Sequence, residues 1–257
     1  MGHKGRPSRL LNTKKAPAAV KKITLQNAAN SPFLQLPPEV RNRIYAFALG
    51  GRTLHISRDG SKAVGIPRFK ATVCRAEATH VRPWDPSETH RRCSQKGCDL
   101  ALALLRCSRQ IYSEAALIPY ADNIFSFGFC RPNAKIRFFQ EIMPVQKRAI
   151  TAVEFAVSLD DLSWYRDHVY LSWYPDHRPC SDLPGLRVLS VDLHIGDEAS
   201  MESVYTLCVD TYKDVGQARL TSAPIRLRSS GVVGPSELQT WAAKISERLL
   251  NGAETIR

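Results

Sequence analysis

The sequence predicts a mixed α+β fold, and three observations carry that expectation. Between a Pro37-Pro38 start and a Gly50-Gly51 stop, apolar residues recur at three- and four-residue steps, as on one face of an α-helix. Apolar residues alternate in Ile124 to Phe129, Ala152 to Leu159 and Arg187 to Ile195, the period of strands. A capped, striped helix follows Pro235. Strands separated by other elements at intervals of roughly thirty residues predict a mostly parallel sheet.

The first thirty residues mix Lys, Arg, Ala and Pro with few large apolar side chains, so a disordered basic tail over 1–30 is expected. In the helix after Pro37-Pro38, proline supplies the φ of a first turn and Glu39 sits near the positive helix end. Its stripe of Leu36, Val40, Ile44, Phe47 and Ala48 is the expected core face. Tyr45 and Leu49 point to the other side and need a second neighbour, from this chain or from a partner. Thr53 to Ile56 is read as a strand, with the turn Arg58-Asp59-Gly60 and a return over Ala63 to Ile66 or Ala71 to Cys74. Arg75 to Gly97 is polar and irregular, a long loop.

A single helix is then predicted from a cap at Asp99 to Pro119, striped by Leu100, Leu104, Cys107, Ile111 and Ile118. Asp122-Asn123 turns the chain into the strand carrying Phe125, Phe127 and Phe129, and Asn133 is expected to cap a helix from Ala134 to Met143. Val153, Phe155, Val157 and Leu159 share one strand face, as do Leu189, Val191, Leu193 and Ile195. Leu183, Leu186 and Leu189 have leucine-rich-repeat-like spacing, without enough regular units for a solenoid. Met201 to Val209 fits a strand or a helix. The last helix opens on the capping-box pattern of Ser236 and Gln239, is striped by Leu238, Trp241, Ile245 and Leu249, and ends at Asn251-Gly252.

Two segments carry a resemblance. Leu36-Pro-Pro-Glu-Val-Arg-Asn-Arg-Ile-Tyr45 resembles the first helix of the F-box-like domains common in filamentous-fungal proteins of unknown function. Leu104-Leu-Arg-Cys-Ser-Arg-Gln-Ile-Tyr-Ser-Glu-Ala115 is similar to a later helix of that family, with Ser108 where the family usually has its cysteine and Cys107 one place early. The resemblance implies an interaction domain rather than an enzyme. It also implies one globular domain over 31–257, in which F-box-like helices with an inserted hairpin and loop (31–120) pack on a strand-helix region (121–257). A cullin-ligase adaptor as partner follows from the resemblance alone. An ordinary F-box packs helices close in sequence, whereas Arg52 to Gly97 separates these two.

The formal net charge is +12, and seven basic residues without one acid precede residue 23, among them Lys4, Arg6, Arg9, Lys21 and Lys22. The basic character is substantially a property of the tail, so the alternative function is a nuclear, nucleic-acid-associated protein binding through it. No apolar run approaches the roughly 20 residues of a membrane span, and no secretory signal core is seen, so a cytoplasmic or nuclear protein is expected. Seven cysteines without regular spacing fit a reducing compartment.

For chemistry, Cys74, His80, His90, Cys93 and Cys98 have zinc-type donors but no paired Cys-x-x-Cys, so no metal site is assigned. Phosphate-loop, serine-hydrolase and zinc-protease motifs are missing. Asp160-Asp161 reads as a turn, and Asp192 with His194 as a solvated strand face. No catalytic residue and no cofactor is expected. The aromatic connection with Trp164, Tyr170 and Trp173 reads as a protein-binding surface, and these three join Tyr45 and Leu49 as the candidate partner-binding residues.

Overall fold

The computed structural model describes residues 17–58, 69–74, 100–127, 138–158, 183–195, 200–212, 220–229 and 233–251. Within them six strands form one mixed sheet: β1 (Thr53–Arg58), β2 (Phe69–Val73), β3 (Ile124–Phe127), β4 (Ala152–Ser158), β5 (Val188–Ile195) and β6 (Ile225–Ser229), in the order β2-β1-β3-β4-β5-β6. Only the edge pair β1–β2 is antiparallel; the other four pairings are parallel. The α+β expectation and the mostly parallel sheet therefore hold, and the hairpin return falls on Phe69–Val73.

Register explains the core. Val73, Leu54, Phe125, Val153 and Leu189 pair in succession across five strands, so they share one face. The next row on that face runs Phe127, Phe155, Val191 and Ile225. Phe138 and Phe139, in a helical turn over 138–141, fill the space above Phe127, with ring centroids 5.4 and 5.3 Å away. The opposite face is polar along the row His55, Ser126, Glu154 and Ser190. Ser126, Ser190 and Asp192 are nonetheless buried, so Asp192 does not lie on the solvated face expected for it and His194. Central parallel strands are commonly covered on both faces, which is why strict alternation misjudged this position.

Leu183, Leu186 and Leu189, singled out by their spacing, are all fully buried. The turn through them lies close against the chain before β4. A β-carbon on Gly185 would collide with the carbonyl of Arg148, so only glycine allows this approach. Residues 201–212 form a helix, which settles the open choice there: Met201, Val204 and Cys208 are buried at three- and four-residue steps. The last helix, Pro235–Asn251, starts one residue before the expected cap, with proline in its first turn. It buries Ile245 and Leu249 in the same core, with Leu238 and Trp241 packed at its edge.

Helix α1 (Ala18–Asn30) occupies part of the segment expected to be a disordered tail. Its alanines favour the helix, and α3 (Arg109–Ala115) gives it a neighbour. Residues 1–16 lie outside the described set. Helix α2 (Pro38–Leu49) forms as expected. The long helix predicted up to Pro119 is instead broken into a 3-10 turn (Leu102–Arg106), α3 and α4 (Ile118–Ala121). Ser108 causes the first break: extended in backbone, it accepts the Ile111 N–H at 3.1 Å as the N-cap of α3. The expected caps Asp99 and Asn133 lie outside the described residues, as does the loop carrying His80, His90, Cys93 and Cys98.

A second, smaller core joins the two family-like segments: Leu34, Tyr45, Leu49, Ile111 and Ala115, flanked by Phe33, Ala48, Leu104, Leu105 and Ile118. The segments that the resemblance singled out do meet in space. Asn123 ties this helical core to the sheet. Its buried amide donates to the Leu49 (2.6 Å) and Pro119 (3.0 Å) carbonyls and accepts the Arg52 N–H (2.8 Å). Gly50 passes so near Asp122 that an added β-carbon would stand 2.7 Å from the Asp122 β-carbon, and Gly51 takes a φ of 69°.

Candidate interaction surface

Helix α2 is organised by the side chains at four-residue steps on its inner face, Arg41, Tyr45 and Leu49. Tyr45 and Leu49 are 0% exposed. The second neighbour they require is the chain itself, so neither offers surface to a partner, contrary to their place among the candidate partner-binding residues. Phe33 meets the Tyr45 ring edge-on at 5.6 Å.

Arg41 decides which face turns inward. Its guanidinium grips Glu114 of α3 with two hydrogen bonds, Nε to Oε2 at 3.0 Å and Nη2 to Oε1 at 2.8 Å. Nη1 donates to the carbonyls of Leu34 and Leu36, in the turn that feeds α2. The Tyr45 hydroxyl donates to Glu114 Oε2 at 2.9 Å, and Gln110 Nε2 donates to Oε1 at 3.0 Å. One carboxylate thus accepts from three side chains on two helices.

The ionisation follows from these bonds. Burial pushes the Glu114 carboxyl up, but the hydrogen bonds from Arg41, Gln110 and Tyr45 outweigh it and hold the group below its ordinary value. Burial, reinforced by the bond to Glu114, pushes the Tyr45 hydroxyl up to about 12. The hydrogen bond to Glu114 also raises Arg41. At neutral pH the cluster is a guanidinium, a carboxylate and a neutral phenol, all partnered. It is a fastening, with no proton poised for transfer near pH 7.

With the inner face fixed, three of the five stripe residues expected in the core face outward, while Leu36 is half-buried and Ala48 flanks the small core. Val40, Ile44 and Phe47 are 41%, 37% and 81% exposed. The Ala101 N–H donates to the Ala48 carbonyl at 3.4 Å, which brings exposed Leu102 alongside the C-terminal end of α2. Large apolar side chains grouped on a rigid helix are an interaction feature more than a stability feature. The hydrophobic pattern alone misplaced them. The signal that could have corrected it is Arg41, four residues before Tyr45 in one family-like segment, with an acid, Glu114, in the other.

Trp164, Tyr170 and Trp173 lie outside the described residues. Among the described residues no three or more His, Cys, Asp or Glu side chains are grouped to hold a metal ion, and no helix is long and apolar enough to cross a membrane. The family model of a domain of unknown function (DUF7730) matches residues 26–202. No curated protein and no solved structure matches the chain.

Proposed function

From the premise that this chain belongs to the DUF7730 domain family, we propose that it is a protein-protein interaction module whose docking face is the outer side of α2. The observation that supports this is the exposed stripe of Val40, Ile44 and Phe47 on a helix clamped from behind by Arg41, Tyr45 and Glu114. A preorganised apolar helix face loses little conformational freedom on docking, which favours helix-in-groove recognition. The more specific form of the proposal follows the F-box-like resemblance: the module links a recognised protein to a ubiquitin ligase through a cullin-ligase adaptor.

Capture from cell extract with the tagged chain tests both levels, comparing the parent with Phe47→Glu and Ile44→Glu. Recovery of a cullin-ligase adaptor, lost in both variants, is the expected result. If no adaptor is recovered, the ligase link fails; if the captured set is unchanged by either substitution, the docking face itself is wrong.

A further inference from the structure

A groove of about 350 Å³ runs between α1 and the break ahead of α3, remote in chemistry from the α2 stripe. Its walls are apolar through Val20, Ile23 and Leu105, and its rim carries Arg106, Arg109 and Tyr112. Among the described residues no acidic side chain lines it, so two arginines border an apolar channel without a described lining carboxylate. We propose that this groove binds an acidic, amphipathic segment of a partner protein, with leucine-like side chains between the helices and carboxylates on Arg106 and Arg109.

Charge disfavours two alternative occupants, the chain's leading residues and a second copy. The residues preceding α1 include Lys4, Arg6, Arg9, Lys14 and Lys15 and no acid, so that stretch of sequence carries no carboxylate to pair with the arginines. A second copy brings a net charge of +12. The groove's volume lies at the low end of the roughly 300 to 1,000 Å³ of small-molecule pockets, and it opens between two helices, a shape suited to a few side chains of a peptide.

The α1 wall is built to respond to an occupant. This helix has no buried residue, no side-chain cap and no acid in its first turn, and Lys21 and Lys22 lie near its positive end. Ile23 is 55% exposed, leaving apolar area for a ligand to cover. Val20, Ile23 and Thr24 precede residue 26, where the family match begins, so of this wall only Asn27 falls in the matched region.

The probe is a fluorescein-labelled peptide of about 12 residues with leucines at helical three- and four-residue steps and glutamates elsewhere. Anisotropy is read against the full chain, with a lysine-for-glutamate peptide as control. The parent should bind the glutamate peptide, more weakly as salt rises, and α1 amides should exchange more slowly in the complex. Arg106→Ala/Arg109→Ala should weaken binding about tenfold. Both sites are exposed enough for the variant to fold, and Arg109 opens α3 where a positive charge is unfavourable. Phe47→Glu should leave the affinity unchanged, which separates this groove from the α2 face. No binding by the parent, equal binding by the arginine variant, loss of binding in Phe47→Glu, or preference for the lysine peptide would each overturn the proposal. Binding of laurate without binding of the peptide would also overturn it, since the ligand would then be an acyl anion.

Discussion

Leu49 and Phe47 sit two residues apart on α2, and truncating each to alanine should cost stability in one case and leave it unchanged in the other. Leu49 is fully buried between α2 and α3, so Leu49→Ala removes its transfer energy and leaves a cavity, a loss of about 3 kcal/mol. Phe47 is larger but 81% exposed. Only about a fifth of the roughly 1.5 to 3 kcal/mol of a buried phenylalanine is at stake, or about 0.3 to 0.6 kcal/mol. Alanine's better helix propensity returns about 0.5 kcal/mol, so Phe47→Ala should be neutral within about 0.5 kcal/mol. Urea denaturation followed by circular dichroism reads both. In a thermal melt the leucine variant should fall by about 6 to 12 °C, at 2 to 4 °C per kcal/mol, and the phenylalanine variant by about 2 °C at most. A loss in Phe47→Ala comparable to that in Leu49→Ala would mean that α2 is turned with its outer stripe inward, and the docking face proposed above would disappear.

Three further outcomes follow from the clamp and its cap. Because the folded state depresses the Glu114 carboxyl, that residue's contribution is present above its ordinary value of 4.5 and is lost as pH falls through the lower folded value; Glu114→Gln should therefore flatten the acid limb of stability in urea titrations stepped below that point. The Tyr45 hydroxyl is raised instead, so the stability it contributes is complete below its ordinary value of 10.0 and is lost as pH rises towards about 12. Burial raises the Tyr120 hydroxyl as well, so ultraviolet titration should show a late-ionising tyrosine fraction, and Tyr45→Phe should reduce its amplitude by one residue. Ser108→Ala should cost about 1 kcal/mol by leaving the Ile111 N–H without its acceptor, while Ser108→Asp should restore most of it.

Most of the sheet was legible because its inner residues obey a period of two: Leu54, Phe125, Phe127, Val153, Phe155 and Leu189 all lie in the main core, whereas the edge strand β6 was not expected. The final helix was legible for the corresponding reason at a period of 3.6, with Ile245 and Leu249 inside. Residues 201–212 were ambiguous because Val204, Thr206 and Cys208 also alternate; Ser200, whose hydroxyl accepts the Ser203 N–H at 3.2 Å, is the start signal that separates helix from strand. The orientation of α2 was not legible. A hydrophobic stripe predicts burial by area, whereas here a charged side chain with four accepting atoms around it fixed the opposite face. The partner of Arg41 in α3, Glu114, lies 73 positions away in sequence, beyond what local periodicity can register.

Asn123 gives the architecture a mechanical property. All three hydrogen bonds of its side chain are committed, two to carbonyls that end α2 and begin α4 and one to the backbone just before β1. An aspartate of the same shape would set an anion against both carbonyls, so no isosteric replacement preserves the joint. A pull on α2 from outside is therefore shared between this amide, the Gly51 N–H bond to the Asp122 carbonyl at 2.8 Å and the chain itself, all leading into the parallel β1–β3 pair, so the small helical centre is tied to the sheet at several points.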